Sequence, residues 1–226
     1  MERLTTEIEF LKQSIAPLIE KYKQNQIEHE IQKEKQQIAL LELKSMTKTI
    51  DKNHEKHYNY LMTQLNLNSI DQLSKKLRLL YRGSDHNFDC STFHQLCDGK
   101  GKTLVLVRSK TNTLFGGYAT TAWHSNKSYS PAPGSFLFNL DKQTQHKIYR
   151  NEGCAIYGHV NFGPLFGNGY DLHLTNNCNL NNDSSSNLGN TYSLPNNISY
   201  GTNESQSYLV GSYQFVVEEY EVFLVD

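Results

Sequence analysis

The stretch that most constrains this chain runs from Asn161 to Leu174, Asn-Phe-Gly-Pro-Leu-Phe-Gly-Asn-Gly-Tyr-Asp-Leu-His-Leu. Three glycines and a proline stand between aromatics, and apolar and polar residues then alternate from Tyr170 to Leu174. Glycines this dense mark backbone at positive φ or packed too closely for a Cβ, so the segment reads as a built turn feeding a strand. A positive φ is expected at Gly167 or Gly169. Gly-x-Gly without a third glycine, ahead of a strand and not a helix, excludes a dinucleotide fingerprint.

Composition changes along the chain. All 14 glycines lie at Gly83 or later, as do all four cysteines and Trp123. Residues 1–57 carry ten basic and ten acidic side chains, and residues 58–226 carry twelve and thirteen. Neither part has the positive balance of a nucleic-acid-binding surface, so a regulatory nucleic-acid-binding protein is the poorest of the functional alternatives. The N-terminus lacks the apolar core of a signal peptide, and no run of 18 apolar residues exists. A cytoplasmic protein without membrane insertion is expected. Cys90, Cys97, Cys154 and Cys178 are never spaced as C-x-x-C, which disfavours a zinc ribbon or thioredoxin-like motif and leaves reduced, buried thiols.

Residues 1–57 read as helix. Leu4, Leu11 and Leu18 are seven apart, as are Ile8, Ile15 and Tyr22, forming a heptad seam with β-branched residues at one position and Leu at the other. That choice favours a parallel two-stranded coiled coil, hence a homodimer through residues 4–22. A helix folded back on the following domain, or a charged tail, are the alternatives. Asn25 and His29 break the register, a second apolar set continues out of frame, and Pro17 removes a backbone hydrogen bond; a kinked or two-piece helix follows. His54 and His57 share a face of this helix, but two histidines without further ligands read as solvated polar residues and not as a metal site.

Beyond residue 58 the pattern predicts a helical pair over Tyr58–Leu77 capped at Ser69, a strand at Leu79–Tyr81, and a short helix over Ser91–Asp98 capped by Ser91. A hairpin follows at Thr103–Arg108 and Thr113–Tyr118, whose apolar run Leu104–Val107 suggests a strand covered on both faces. Further strands are expected at Ser135–Leu140, Lys147–Tyr149, Ala155–Tyr157, Asp171–Leu174 and Gln214–Val225, the last bulged at Glu218-Glu219. The stretch from Thr175 to Asn190 holds seven asparagines and reads as a long mobile loop. Many short strands with glycine-rich turns give an α+β, mainly β fold: a two-sheet antiparallel β-sandwich with short flanking helices, preceded by the long N-terminal helix. Phe115, Tyr118, Trp123, Phe136, Phe138, Phe166, Tyr170, Phe215 and Phe223 are the expected core.

Catalytic readings are thin. His94 and Cys97 could meet as base and thiol, but a nucleophilic Cys normally takes its His from elsewhere in the fold, so a packed thiol is expected. Asp171, Glu204 and Glu221, all placed near strand ends, could form an acid site if buried together. A small hydrolase or redox enzyme using Asp171, Glu204 or Cys97 is therefore the rival to a non-enzymatic reading.

The motifs, taken in order, resemble the TLDc domain of eukaryotic oxidation-resistance proteins. They are Leu80-Tyr-Arg-Gly-Ser84, Phe93-His94 with Cys97-Asp98, Phe115-Gly-Gly-Tyr118 followed by Trp123, and Phe136-Leu-Phe138. Then come Gly163-Pro-x-Phe-Gly-x-Gly-x-Asp-Leu172, Ser186-Asn-Leu-Gly189 with Tyr192, Tyr200-Gly-Thr202, and Val210-Gly-Ser212 leading to Glu221-Val-Phe223. Ser84-Asp85-His86-Asn87-Phe88 departs from the family's Arg-Asp-Gly-Phe. The resemblance covers about residues 58–226 and implies a β-sandwich, no catalytic, cofactor or metal residues, and an interaction module linked to oxidative stress and to subunits of the vacuolar-type proton ATPase. Motifs clustered at turns and strand edges mark one end of the sandwich as the partner-binding face, with Tyr81, Arg82, Gly167, Gly169, Asp171 and Glu204 as its candidates.

Overall fold

The computed structural model describes residues 2–50 and 55–226. Its β-strands alternate side chains across two antiparallel sheets. The first sheet has the order β1 (Leu77–Arg82), β12 (Val217–Val225), β2 (Thr103–Ser109), β3 (Leu114–Ala119), β5 (Phe136–Asn139) and β6 (Thr144–Lys147). The second runs β11 (Gln214–Phe215), β10 (Ser184–Ser185), β9 (Leu172–Thr175), β8 (Phe162–Phe166), β7 (Ile156–His159) and β4 (Asn126–Ser130). The expected class, α+β and mainly β with two antiparallel sheets behind a long helix, is the architecture found.

Two cores follow from the alternation in β2. Val105 and Val107 point between the sheets, where they join Phe115, Leu137, Ile156, Phe166 and Leu172. Leu104 and Leu106 point the other way, with Phe138 and Phe223, into a helical layer. That layer consists of the end of α1 (Glu2–Met46), α2 (Glu55–Gln64) and α3 (Ile70–Lys76), which contribute Leu43, Tyr58, Leu61 and Leu73. The apolar run Leu104–Val107 is thus covered on both faces, as its composition predicts. The bulge in β12 also lies where the alternation slips, between Val217 and Glu219.

Several details differ from the sequence reading, each for a local reason. Helix α1 runs unbroken through Pro17 and stops at Met46, so neither the two-piece helix nor a helix to residue 57 is found. Helix α4 (Cys90–Cys97) is capped by Asp89 and not by Ser91: Asp89 Oδ2 accepts from the amide of Thr92 at 2.7 Å. The strand expected at Lys147–Tyr149 ends at Lys147 instead. Strands β4, β8 and β10 and helix α5 (Asn203–Tyr208) are too short or too polar to show periodicity. Of the expected core aromatics, Tyr118 is half-buried and Tyr170 is exposed; the others are buried. His54 lies outside the described residues. His57 is buried, not solvated, with Nε2 at 3.4 Å from Asp141 Oδ1.

The Asn-rich segment is not a free loop. Cys178 and Leu188 are buried in the inter-sheet core, and Ser184–Ser185 pairs with both β9 and β11. Polar composition misleads here because asparagine side chains bond the local backbone: Asn181 Nδ2 donates to the carbonyls of Asn176 and Asn177, both at 3.0 Å.

The expected division between residues 1–57 and 58–226 does not coincide with the edge of the helical-layer core. Ala39, Leu40, Leu43 and Ile50 belong to the helical-layer core. The segment after α1 is fastened to the sheet by Glu221, a fully buried carboxylate on β12. It accepts from Arg82 Nε at 2.7 Å, the amides of Lys48 and Thr49 at 2.9 and 3.2 Å, and the hydroxyl of Thr47. Arg82 also donates to the carbonyl of Met46. A buried carboxylate needs this many donors to offset its desolvation.

A fragment starting at Tyr58 should therefore be unstable. It lacks Leu40, Leu43 and Ile50, each contributing roughly 1.5–3 kcal/mol by apolar burial, and it removes the Thr47, Lys48 and Thr49 donors of Glu221, leaving Arg82. A fragment starting at Lys33 should keep the full midpoint in a urea titration. Equal midpoints for the two fragments would place the domain edge after α1.

Candidate functional site

The glycine-rich turn joins β8 to β9 and delivers Asp171 into the interior. Gly167 has φ +81°, and a Cβ there would lie 2.0 Å from Asp171 Oδ2. At the next glycine the requirement is space: a Cβ on Gly169 would meet Asn190 Cβ at 2.5 Å and the hydroxyl of Tyr200 at 2.7 Å. The second positive φ falls on Tyr170, at +59°, not on Gly169.

Asp171 is fully buried and held by consecutive backbone amides. Its Oδ1 accepts from Gly189 at 2.8 Å, Asn190 at 3.0 Å and Tyr192 at 3.2 Å, and its Oδ2 accepts from Thr191 at 3.1 Å. Burial pushes the carboxyl up to about 6, with the four amides pulling against it, so it is ionised at neutral pH. Of the residues whose amides hold it, Gly189 is buried and Asn190 half-buried. Arg150 donates there from Nε to the Asn190 carbonyl and from Nη2 to the Gly189 carbonyl, both at 2.6 Å. Tyr149 gives its hydroxyl to the same Gly189 carbonyl at 2.7 Å, and Asn187 Nδ2 donates to the hydroxyl of Tyr200 at 3.1 Å.

Most of the expected candidates lie in the interior. Tyr81 is fully buried, stacked on Tyr220 and His86 with centroids 4.9 Å away in each case. Arg82 belongs to the Glu221 fastening, Gly167 and Asp171 are buried, and Gly169 is half-buried beneath Tyr200. Of the six, only Glu204 is exposed, in the first turn of α5 and not near a strand end. The set bonded to Arg82 (Glu221, Asp85, Met46) and the set bonded to Asp171 share no residue. The sequence missed Tyr149 and Arg150. Their only signal was an Arg beside an aromatic before a glycine.

The catalytic pairings are likewise not assembled. Asp171 and Glu221 each bind their own donors, and neither bonds to Glu204. Cys97 is buried, and burial pushes its thiol well above the usual range. The His94 ring is engaged elsewhere, with Nδ1 at 2.8 Å from Asp98 Oδ1 and Nε2 at 2.9 Å from the His159 carbonyl. Cys90 and Cys178 are also buried free thiols, pushed up by desolvation. Among the described residues no cluster of three His, Cys, Asp or Glu could hold a metal, and no helix is long and apolar enough to cross a membrane.

Replacing Asp171 by Asn should cost about 3 kcal/mol in chemical denaturation, because hydrogen bonds to a charged acceptor are worth about 1.5–3 kcal/mol and the amide would turn a donor toward donors. An unchanged midpoint would mean that the four amides do not depend on the charge. His173, two residues on, is buried with no hydrogen-bond partner at Nε2 among the described residues, and burial pushes it down to about 4. Its folded pKa is depressed, so its contribution is present above pH ~6.5 and is lost as pH falls toward 4. Asp171, with a raised folded pKa, acts in the opposite direction over the same interval. His173→Leu should therefore gain about 3 kcal/mol relative to the wild type between pH 7 and pH 4, read from urea unfolding at both values. A constant difference between the two proteins would rule out a neutral His173.

The sequence model of the TLDc domain matches residues 50–226. Comparison with curated proteins returned no match. The match spans well over half of the chain, and the sheets carry the glycine–aromatic motifs in the order described above. This chain belongs to the TLDc domain family.

Proposed function

We propose that the chain is a non-enzymatic, cytoplasmic interaction module of the oxidation-resistance type, paired through α1, which binds subunits of the vacuolar-type proton ATPase. The observation that carries this reading is the surface left uncovered on α1. Leu4, Ile8, Leu11, Ile15, Leu18 and Tyr22 are all exposed on one stripe, far from the two cores. Scattered exposed apolar residues are ordinary, but a continuous heptad stripe is a surface for another helix. The groups that could do chemistry point the same way: Asp171, Glu221 and His94 are occupied by structural hydrogen bonds, and Cys97 is buried. The partner follows from family likeness alone, which is a weaker warrant than geometry. Pairing would raise avidity for a target that offers two copies within reach.

The full chain should sediment as a dimer, and the Ile8→Asp, Ile15→Asp double variant as a monomer, because each charge would be buried against its copy. Equal masses for the two proteins would refute the seam. In a pull-down from purified peripheral sector, the full chain should retain ATPase subunits. No retention would end the partner assignment.

A further inference from the structure

We propose that Tyr149, Arg150 and Tyr200, with Tyr170 beside them, form a docking platform for a protein segment that presents a carboxylate between apolar side chains. The proposal rests on reading the chain as an interaction module and gives that module a face.

The surface has an unusual composition for solvent-facing residues. Tyr149, Tyr170 and Tyr200 are 51%, 41% and 40% exposed. The Arg150 guanidinium sits 5.0 Å from the Tyr149 ring centroid and 5.7 Å from that of Tyr200. The hydroxyl of Tyr200 lies over Gly169, and Tyr170 follows that glycine in the chain. Tyrosine and arginine are the residues that dominate binding energy at protein interfaces, since each offers a wide apolar body and a polar tip.

Two further features separate this patch from ordinary surface aromatics. The first is rigidity. Tyr149 and Arg150 bond to the carbonyls of Gly189 and Asn190, whose amides are fixed by the buried Asp171 charge. Side chains already ordered lose little entropy on binding. The second is an unanswered charge. Among the described residues no carboxylate forms an ion pair with Arg150, although Lys48, Arg82 and Lys75 all have one. Nε and one Nη2 hydrogen are spent on the two carbonyls, which leaves Nη1 and the second Nη2 hydrogen of this exposed side chain without a hydrogen-bond partner among the described residues. That free end is the part of a guanidinium that takes a carboxylate in two parallel hydrogen bonds. The flanking rings would cover apolar side chains on either side of such a carboxylate. Asn151, Asn187 and Asn190 supply the polar rim.

The test uses the full chain and a random linear-peptide display library. Selected peptides should share an Asp or Glu flanked by apolar residues. Affinity for one synthetic selected peptide should fall about tenfold or more in Arg150→Gln and in Tyr149→Ser, with unchanged melting temperatures. Tyr149→Ser leaves both Arg150–carbonyl bonds in place, so it remains informative if Arg150→Gln unfolds. Selected peptides without an acidic consensus, no selection at all, or wild-type affinity in the folded variants would overturn the platform. The ATPase pull-down is separate: acidic-peptide binding without ATPase retention keeps the platform and loses that partner, and the reverse pattern loses the platform and keeps the partner.

Discussion

The carboxylate of Asp171 receives the amides of Gly189, Asn190, Thr191 and Tyr192, four residues in succession. Amides that converge on one charge cannot point alternately as in a strand, so this segment is bent into a strap. Its continuation then lies against the edge of the first sheet. Ile148 bridges to Tyr192, and the amide of Ser193 donates to the Lys147 carbonyl at 2.8 Å. A charge at the entrance to β9 in the second sheet therefore holds the cover on β6, the outermost strand of the first. Uncovered edges invite pairing with other chains, and here one buried ion closes the edge and joins the sheets. The turn glycines serve the same end, since any side chain at Gly167 would occupy the space of that carboxylate.

Most of the architecture is legible in the sequence where the cause is local. The two-sided burial of β2, the slip in β12, the Ser69 cap and the hairpin all rest on patterns within ten residues. What escaped is set by distance along the chain. Glu221 takes its amide and hydroxyl donors from residues more than 170 positions away, and nothing near it in sequence announces them. The Asn-rich segment hides Cys178 and Leu188 because single apolar residues among amides give no period. Asp89 and Ser91 are both good caps two residues apart, and only side-chain geometry chooses between them; Ser91 in fact donates its hydroxyl to the Asp89 carboxylate at 2.6 Å. At the candidate site, the turn and Asp171 were visible as a motif. That Tyr81, Gly167 and Asp171 are interior was not, since a motif shared by a family marks what must be built as readily as what must be touched.

The Glu221 fastening has a consequence for α1. The helix is not a tail on a flexible tether, because its last turns lie in the helical-layer core and the chain after it is bonded to β12 through Lys48, Thr49 and Thr47. Orientation set at the sheet is therefore transmitted along the helix. At about 1.5 Å of rise per residue, the exposed part from Arg3 to Ile38 extends on the order of 50 Å from the domain.

A lone helix of that length in water is poorly supported by its own composition. Ordinary helical propensity is marginal without a packed face, and Pro17 in the interior costs about 3 kcal/mol more. Only the last two turns pack on the domain, on the face of Ala39, Leu40 and Leu43, while Ile38 and Leu41 remain exposed on the other side. On the proposed pairing, the stabilisation absent within one chain would come from a second copy, and the Leu4–Tyr22 stripe is where the sequence concentrates the apolar area that could provide it. Covering that stripe with a second copy would take out of water the remaining exposed area of six large apolar side chains per helix, now 47–66% exposed, where full burial of one such side chain is worth roughly 1.5–3 kcal/mol. The same rigid connection would then fix the separation of two domains, so that pairing and partner binding are parts of one geometry.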